Sequence, residues 1–308
     1  MVKNFHMVTG AFGYTGKYIA RRLLAEGRKV KTLSGHADTD KGALGEQVEA
    51  FSYDFDKPER LRKNLTGAKV LYNTYWIRFP RRGMTYEKAI RNTITLIEAA
   101  AEADVQKLVH ISITNPCAAP NLPYFEGKCR LEKAIKQSGL SYAIIRPAVI
   151  FGFEDILINN IAWLLRKFPV FGIIGSGRYK IRPIHVEDVA KLAVAAANDP
   201  KNSVTDAVGP ETFAFKDMVQ LIKETIDSKA ILLPFPPSLA YLASRAIGAA
   251  VRDVLLTSDE VAGLTAGLLH VDGSPTGETR LSEWLAQNAG KVGKRYASEI
   301  ARHYRRSR

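Results

Sequence analysis

The chain has 308 residues, 46% of them hydrophobic and 24% charged, and a net charge of +13. The composition is that of an ordinary soluble globular protein, and no uninterrupted apolar run is long enough for a helical bilayer span. The best candidate, 239–251, is too short and is broken by Arg245. Two cysteines, Cys117 and Cys129, do not make a disulfide framework, so reduced thiols in a cytoplasmic protein are expected. The N-terminus leads straight into a strand, so no signal peptide is expected. Seven Lys/Arg against one acid, Glu299, between Lys291 and Arg308 carry nearly half of the net charge. Such a tail suits a solvated basic helix, a peripheral contact at the inner face of a membrane, or an acidic protein partner. No helix-turn-helix, RNP-like or zinc-finger pattern accompanies it, so sequence-specific nucleic-acid binding is not expected.

The apolar residues Phe5, Met7 and Val8 read as a buried strand. Gly10, Gly13 and Gly16 follow in MVTGAFGYTG, and Ile19, Ala20, Leu23 and Leu24 then recur at helical spacing until Gly27. Strand, glycine turn and helix together form a phosphate cradle. The glycines allow a tight turn and a close backbone approach, and the helix N-terminus offers unpaired N–H groups. Thr9, Gly10, Gly13, Tyr14, Thr15 and Gly16 are the expected dinucleotide-binding residues.

Residues 29–33 form the second expected strand, ending at Ser34, Gly35 and His36. NAD-preferring proteins place an acid there, and NADP-preferring ones often an arginine. Neither is present. Ser34 and His36 can accommodate a phosphate, a weak lean towards NADP(H), while Asp38 and Asp40 follow closely and keep NAD open. Further strands are expected at 48–53, 69–73 and 107–111, and helices at 59–65 and 86–103. This alternation argues for an α/β fold, a doubly wound parallel sheet of Rossmann type. Asn73 and Thr74 then lie at a carboxyl strand end, where such sheets bind ligands. The loop YWIRFPRRG, 75–83, can be a substrate wall, an anion clamp or an ordinary surface loop.

Ser112 and Thr114 stand at the carboxyl end of the strand 107–111, and Tyr124 and Lys128 follow as Y-x-x-x-K. Tyr and Lys four apart share one helix face. A phenol titrates near ~10, and an adjacent ammonium lowers that value towards use as an acid or base. Lys128 can also hold the nicotinamide ribose, and a strand-end hydroxyl can orient a carbonyl. These groups suit proton transfer beside a hydride carrier. The six histidines show no metal-ligand spacing, so no metal is expected. Cys117 has no histidine placed to activate it and reads as a bystander. His185 reads as structural, and Glu154–Asp155 as helix N-terminal charge.

The glycine spacing T-G-x-x-G-x-x-G and the Y-x-x-x-K downstream of the fifth strand resemble the extended and atypical short-chain dehydrogenase/reductase superfamily. Within it, the segment 153–190 is similar to NmrA-like proteins and to the 39-kDa accessory subunit of respiratory complex I. The resemblance spans nearly the whole chain, more loosely after residue 216. It implies that Asp54 meets the adenine, that Pro147 in the strand 144–152 lies near the nicotinamide, and that Tyr124, Lys128 and Thr114 or Ser112 are catalytic, with Thr114 preferred. It also implies a cofactor domain, 1–152 completed by 181–212. A helical substrate lobe, 153–180 and 213–308, would complete the chain. The activity implied is that of an NAD(P)-dependent oxidoreductase or epimerase/dehydratase on an unknown small molecule. The alternative is a redox sensor or accessory subunit that binds nucleotide without turnover. In the lobe, prolines 234, 236 and 237 precede an apolar helix, 238–250, expected to pack inward, and Trp284, Leu285 and Tyr296 are expected to pack the terminal helices.

Overall fold

A computed structural model describes residues 4–35 and 44–304. His36, Asp38 and Asp40 lie outside the described residues. The chain forms two compact units. One is built on the chain up to Arg146 with Val189–Asp206, the other on Pro147–Asp188 with the chain from Ala207.

The elements begin with β1 (Phe5–Thr9), α1 (Tyr14–Ala25), β2 (Val30–Ser34), β3 (Glu49–Ser52), α2 (Pro58–Leu65) and β4 (Ala68–Asn73). They continue through α3 (Tyr86–Glu102), β5 (Lys107–Ile111), α4 (Pro123–Gln137) and β6 (Ser141–Pro147). Next come β7 (Val149–Phe151), α5 (Leu157–Lys167), β8 (Val170–Ile174), β9 (Lys180–Ile181), β10 (Pro183–His185), α6 (Val186–Asn198) and β11 (Ser203–Ala207). The chain closes with β12 (Phe213–Ala214), α7 (Phe215–Thr225), β13 (Ile231–Phe235), α8 (Pro237–Val251), α9 (Ser258–Thr265), α10 (Leu281–Asn288) and α11 (Glu299–Tyr304).

Among the described residues the main sheet has seven strands in the order β11-β6-β5-β4-β1-β2-β3, and the pairings from β3 across to β6 are parallel. This is the Rossmann-type sheet expected. Every residue of β1 and β5 is buried, as strands covered by helices on both faces must be. Met7, Leu33, Leu71, Leu108 and Ile144 supply a core layer under Leu61 and Leu65 of α2, Leu96 and Ile97 of α3 and Ile135 of α4. From β1 the chain builds outward to β3. It then returns through α2 to β4, on the other side of β1. That reversal opens a crevice at the carboxyl ends of β1 and β4, the place where such sheets take ligands.

The second unit has its own core, with Phe151, Ile161 and Leu165, Met218 and Ile222 of α7, and Trp284 and Leu285 of α10. Tyr296 packs edge-on to Trp163, ring centroids 5.3 Å apart. Trp284 and Leu285 pack α10 into this core as expected, while Tyr296 packs against α5.

Two expectations are corrected, and a third, the inward packing of the apolar helix, is met through its small residues rather than its leucines. The single strand 144–152 is two. Pro147 has no N–H for a ladder, and at Ala148 the N–H turns to the Ala207 carbonyl, 3.3 Å away. β6 stays in the main sheet, and β7 pairs with β10. The cysteines are not free: Cys117 and Cys129 form a disulfide, their Cα atoms 5.0 Å apart. A count of two argues only about compartment. The loop after β5 doubles back on α4 and brings the pair together. Finally, α8 packs inward through the small residues Ala240, Ser244 and Gly248, while Leu239 and Leu242 are 46% and 62% exposed. The Cβ of any other residue at 248 would stand 2.7 Å from the Asp253 carbonyl, so the small-residue face is the one that fits.

Candidate functional site: a dinucleotide crevice beside a Tyr–Lys pair

The turn between β1 and α1 needs its glycines. Gly10 adopts φ +65°, a left-handed conformation that side chains disfavour. A Cβ on Gly16 would stand 2.3 Å from the Gly10 oxygen, and one on Gly13 would stand 3.2 Å from it. α1 thus begins hard against the turn. Gly13 caps it with no side-chain hydrogen bond, and its first turn holds no acid. Its leading N–H groups and positive dipole end are left for an anion. The turn is anchored from below. Thr32 Oγ1 donates to the Val8 carbonyl (2.7 Å) and accepts from Ala11 N–H (3.1 Å).

The facing wall is the end of β4. Thr9 Oγ1 accepts from the N–H of Thr74 (2.7 Å) and of Tyr75 (3.1 Å), and Thr74 Oγ1 donates to the Thr9 carbonyl (2.6 Å). These bonds fix the two strand ends across the crevice. Asn73 accepts from Tyr75 N–H at Oδ1 (3.0 Å) and presents its amide to His110 Nδ1 (3.1 Å). His110 therefore carries its proton on Nε2. Burial, reinforced by the nearby Lys128 charge, pushes its pKa well below the usual histidine range, so the ring is neutral. Tyr53, Phe55 and Tyr75 form an aromatic cluster with centroids 5.0–5.1 Å apart. Burial and Tyr75 push the Tyr53 phenol up, against a hydrogen bond with Thr9.

Tyr124 and Lys128 lie in the first two turns of α4. Lys128 is buried, and its Nζ donates to the Ile111 carbonyl at the end of β5 (2.8 Å). Burial brings its pKa down to about 7, with Glu132 acting in the opposite direction. Trp76 lies over both residues. Lys128 Nζ is 4.9 Å from its ring centroid, and Tyr124 meets it edge-on at 5.8 Å. Tyr86 stacks on Trp76 at 5.9 Å. Gly127 makes room for the indole, whose ring would lie 2.7 Å from a Cβ there. Of the two strand-end hydroxyls, Ser112 donates to Glu132 Oε1 (2.6 Å), and Glu132 also binds Arg146 through both oxygens (2.9 and 2.5 Å). Ser112 is thus committed to a buried ion pair. Thr114 is fully buried beyond the strand end.

The remaining expected residues are dispersed. Ser34 is buried at the end of β2. Asp54 turns in a left-handed conformation, φ 43°, with its carboxylate 3.6 Å from Arg60. Tyr14 and Thr15 open α1, and Pro147 closes β6. The 75–83 loop folds as a compact turn in which Tyr86 Oη donates to the Arg78 carbonyl (2.8 Å) and Asn92 Nδ2 to Tyr75 Oη (2.9 Å). Asp155 is buried and accepts from Ile158 N–H (2.7 Å) at the start of α5; it meets the helix start as expected, but burial favours its neutral form over the N-terminal charge expected. Among the described residues no three His, Cys, Asp or Glu are grouped to hold a metal. Sequence reasoning missed Trp76, His110 and Glu132. Glu132 left a signal, standing four residues after Lys128 and so on its face of α4, and Trp76 lay in the 75–83 loop already marked as a candidate wall.

A glycine-walled helix N-terminus facing a second strand end across the reversal of a parallel sheet defines a Rossmann-type dinucleotide-binding protein. The NAD(P)H-binding family matches residues 10–200, more than half of the chain, and the chain belongs to that family. It is 25% identical over 252 residues to the mitochondrial NADH dehydrogenase (ubiquinone) 1 alpha subcomplex subunit 9 of Arabidopsis thaliana, covering 77% of this chain and 62% of that one. It is 28% identical over 236 residues to the photosystem II assembly factor Ycf39 of Guillardia theta, covering 76% and 74%. Among solved structures, the Citrobacter triphenylmethane reductase complexed with NADP(H) has the same fold, with a TM-score of 0.68 at 19% identity over 92% of this chain and 99% of that one. The expected resemblance to respiratory-complex subunits is met, though the chain spans less than two thirds of the Arabidopsis relative.

Proposed function

We propose that the chain is an NAD(P)H-dependent oxidoreductase or epimerase/dehydratase of the short-chain dehydrogenase/reductase type, acting on a small carbonyl or alcohol. One observation carries this reading. Lys128 is buried at the carboxyl end of β5, one helical turn after Tyr124, on the sheet edge that also bears the glycine turn. The turn residues Gly10, Gly13 and Gly16 and the α1 N-terminus would hold the pyrophosphate, and Thr74 would line the facing wall. The bound cofactor supplies or takes the hydride. Tyr124 Oη gives or takes the proton. The ammonium form of Lys128 favours the phenolate, and because burial brings its pKa down to about 7, this support is present below about pH 7 and fades above it. Thr114 is the hydroxyl we assign to orienting the substrate, and Ser112 donates to Glu132 instead. Ser34 gives a weak lean to NADP(H). The test is cofactor absorbance with NADPH or NADH and a fractionated metabolite extract, run beside Tyr124→Phe. Consumption that disappears in the variant supports the reading. Tight cofactor binding with no consumption in any fraction overturns a net oxidoreductase and leaves the epimerase, which regenerates its cofactor internally, or the binding role below.

A second reading is a cofactor-binding accessory or assembly protein held at an anionic membrane. The observation favouring it is the outward face of α8, where Leu239 and Leu242 are exposed. The segment 228–252 around it holds Lys229, Arg245 and Arg252 and no acid. An apolar face flanked by bases suits a lipid interface, and the basic residues after Lys291 would add to it. Among the described residues no helix is long and apolar enough to cross a membrane. Flotation with phosphatidylserine vesicles, lost in Leu242→Glu, would support this reading. Flotation unchanged in Leu242→Glu, or none with the native chain, would remove it.

A further inference from the structure

We infer that the Cys117–Cys129 pair is a thiol–disulfide exchange site whose redox state sets the order of the helix turn carrying Tyr124. The bond closes a ring from Cys117 to Cys129, and both Tyr124 and Lys128 lie inside it. Cys129 directly follows Lys128 on α4 and is buried, whereas Cys117 is exposed in the loop after Thr114.

The prolines of that loop limit its main-chain bonding. Its sequence is NPCAAPNLP, and the prolines 116, 120 and 123 remove three main-chain donors. Its own turns are closed by two local backbone bonds, from Ala118 N–H to the Asn115 carbonyl and from Leu122 N–H to the Ala119 carbonyl, each 3.1 Å. Asn115 turns the chain at φ 52°, a left-handed conformation that asparagine adopts more readily than most residues with a side chain. α4 then begins at Pro123 with Leu122 as its cap and no side-chain hydrogen bond. An uncapped helix start frays readily. The disulfide ties the loop to the second turn of that helix, so Tyr124, the second helical residue, sits between an uncapped end and a covalent anchor. Breaking the anchor returns the whole ring to the freedom of an open loop.

The reductant is a small or protein dithiol. Its thiolate attacks the sulfur of Cys117, the member of the pair on the exposed loop, the S–S bond breaks, and Cys129 leaves as thiolate and takes a proton. The second thiol of the reductant then attacks the mixed disulfide and releases Cys117, which is protonated in turn. Two electrons and two protons pass to the protein, and the reductant becomes a disulfide. Oxidised glutathione or another low-molecular-weight disulfide reverses the exchange.

The order of the turn is independent of whether Tyr124 transfers a proton, so hydrogen exchange separates this inference from the enzymatic reading. The full chain is oxidised with glutathione disulfide or reduced with dithiothreitol, its thiols are counted by alkylation mass, and amide exchange is followed in peptides covering 115–128 and 5–25. Reduction is expected to speed exchange in 115–128 at least tenfold and to leave 5–25 unchanged. Cys117→Ser is expected to match the reduced form in both buffers. Equal exchange in the two redox states, equal acceleration in both peptides, or two free thiols after glutathione disulfide treatment would each overturn the inference.

Discussion

Gly16 is the third residue of α1, in the helix interior, where alanine ordinarily stabilises by about 1 kcal/mol. Here a methyl group would stand 2.3 Å from the Gly10 oxygen, 2.8 Å from its carbonyl carbon and 3.0 Å from the Thr9 oxygen. All three atoms are backbone, so no side chain can swing aside. Relief requires the helix start and the turn to part by about 1 Å, and overpacking of this kind costs about 1–3 kcal/mol. The cost exceeds or offsets the helical gain, so Gly16→Ala is expected to lose up to ~2 kcal/mol of stability. The same displacement draws the leading N–H groups of α1 away from the pyrophosphate, and a loss of only about 1.4 kcal/mol there weakens cofactor tenfold. Titration of NADPH fluorescence should show at least that tenfold loss, and the melting temperature should fall by a few degrees. Gly13→Ala, whose methyl would stand 3.2 Å from the same oxygen, should be milder on both counts. A Gly16→Ala chain that binds NADPH within twofold of wild type and melts higher would show that the turn does not need this close approach.

Glu132→Gln keeps the shape but removes the charge that faces Arg146 and Ser112. Glu132 is 2% exposed and Arg146 23%, so a largely buried guanidinium loses its counter-charge and urea unfolding should show a loss of about 3 kcal/mol. Lys128 would lose the carboxylate that supports its charge, so any Tyr124-dependent turnover should need a lower pH in this variant. Asp155 gives a pH dependence of opposite sign to most carboxylates. Burial pushes it up to about 7, against hydrogen bonds from Ile158, Gly152 and Asn159, whereas the unfolded carboxyl titrates near ~3.9. The folded chain therefore holds a proton that the unfolded chain has lost. Its contribution is full below about pH 4 and falls by up to about 1.4 kcal/mol per unit as pH rises to about 7. Urea midpoints taken between pH 5 and pH 8 should fall with pH for wild type and lose that component of the slope in Asp155→Asn.

The sequence by itself pointed to most elements of the first unit and to a dinucleotide-binding turn. The glycine spacing 10-13-16, the alternation of strand and helix up to Lys107–Ile111, and Tyr124 four residues before Lys128 are local patterns. Local patterns are dictated by helix and strand periods and by the conformational freedom of glycine, and these act within a few residues. Tertiary structure decided which distant residues share the site. The reversal of strand order sets Thr74 against Thr9, brings Trp76 over Tyr124 and Lys128, and lets Asn73 choose the tautomer of His110. It also assigned Ser112 to Glu132 and Arg146, joined the two cysteines, and turned Leu239 and Leu242 of α8 outward while Ala240, Ser244 and Gly248 faced the core. The last outcome shows the physical reason. Apolar spacing says that a helix has a face to bury, but which face goes inward depends on how closely a neighbouring backbone must approach, and that distance is fixed only when the whole chain is packed.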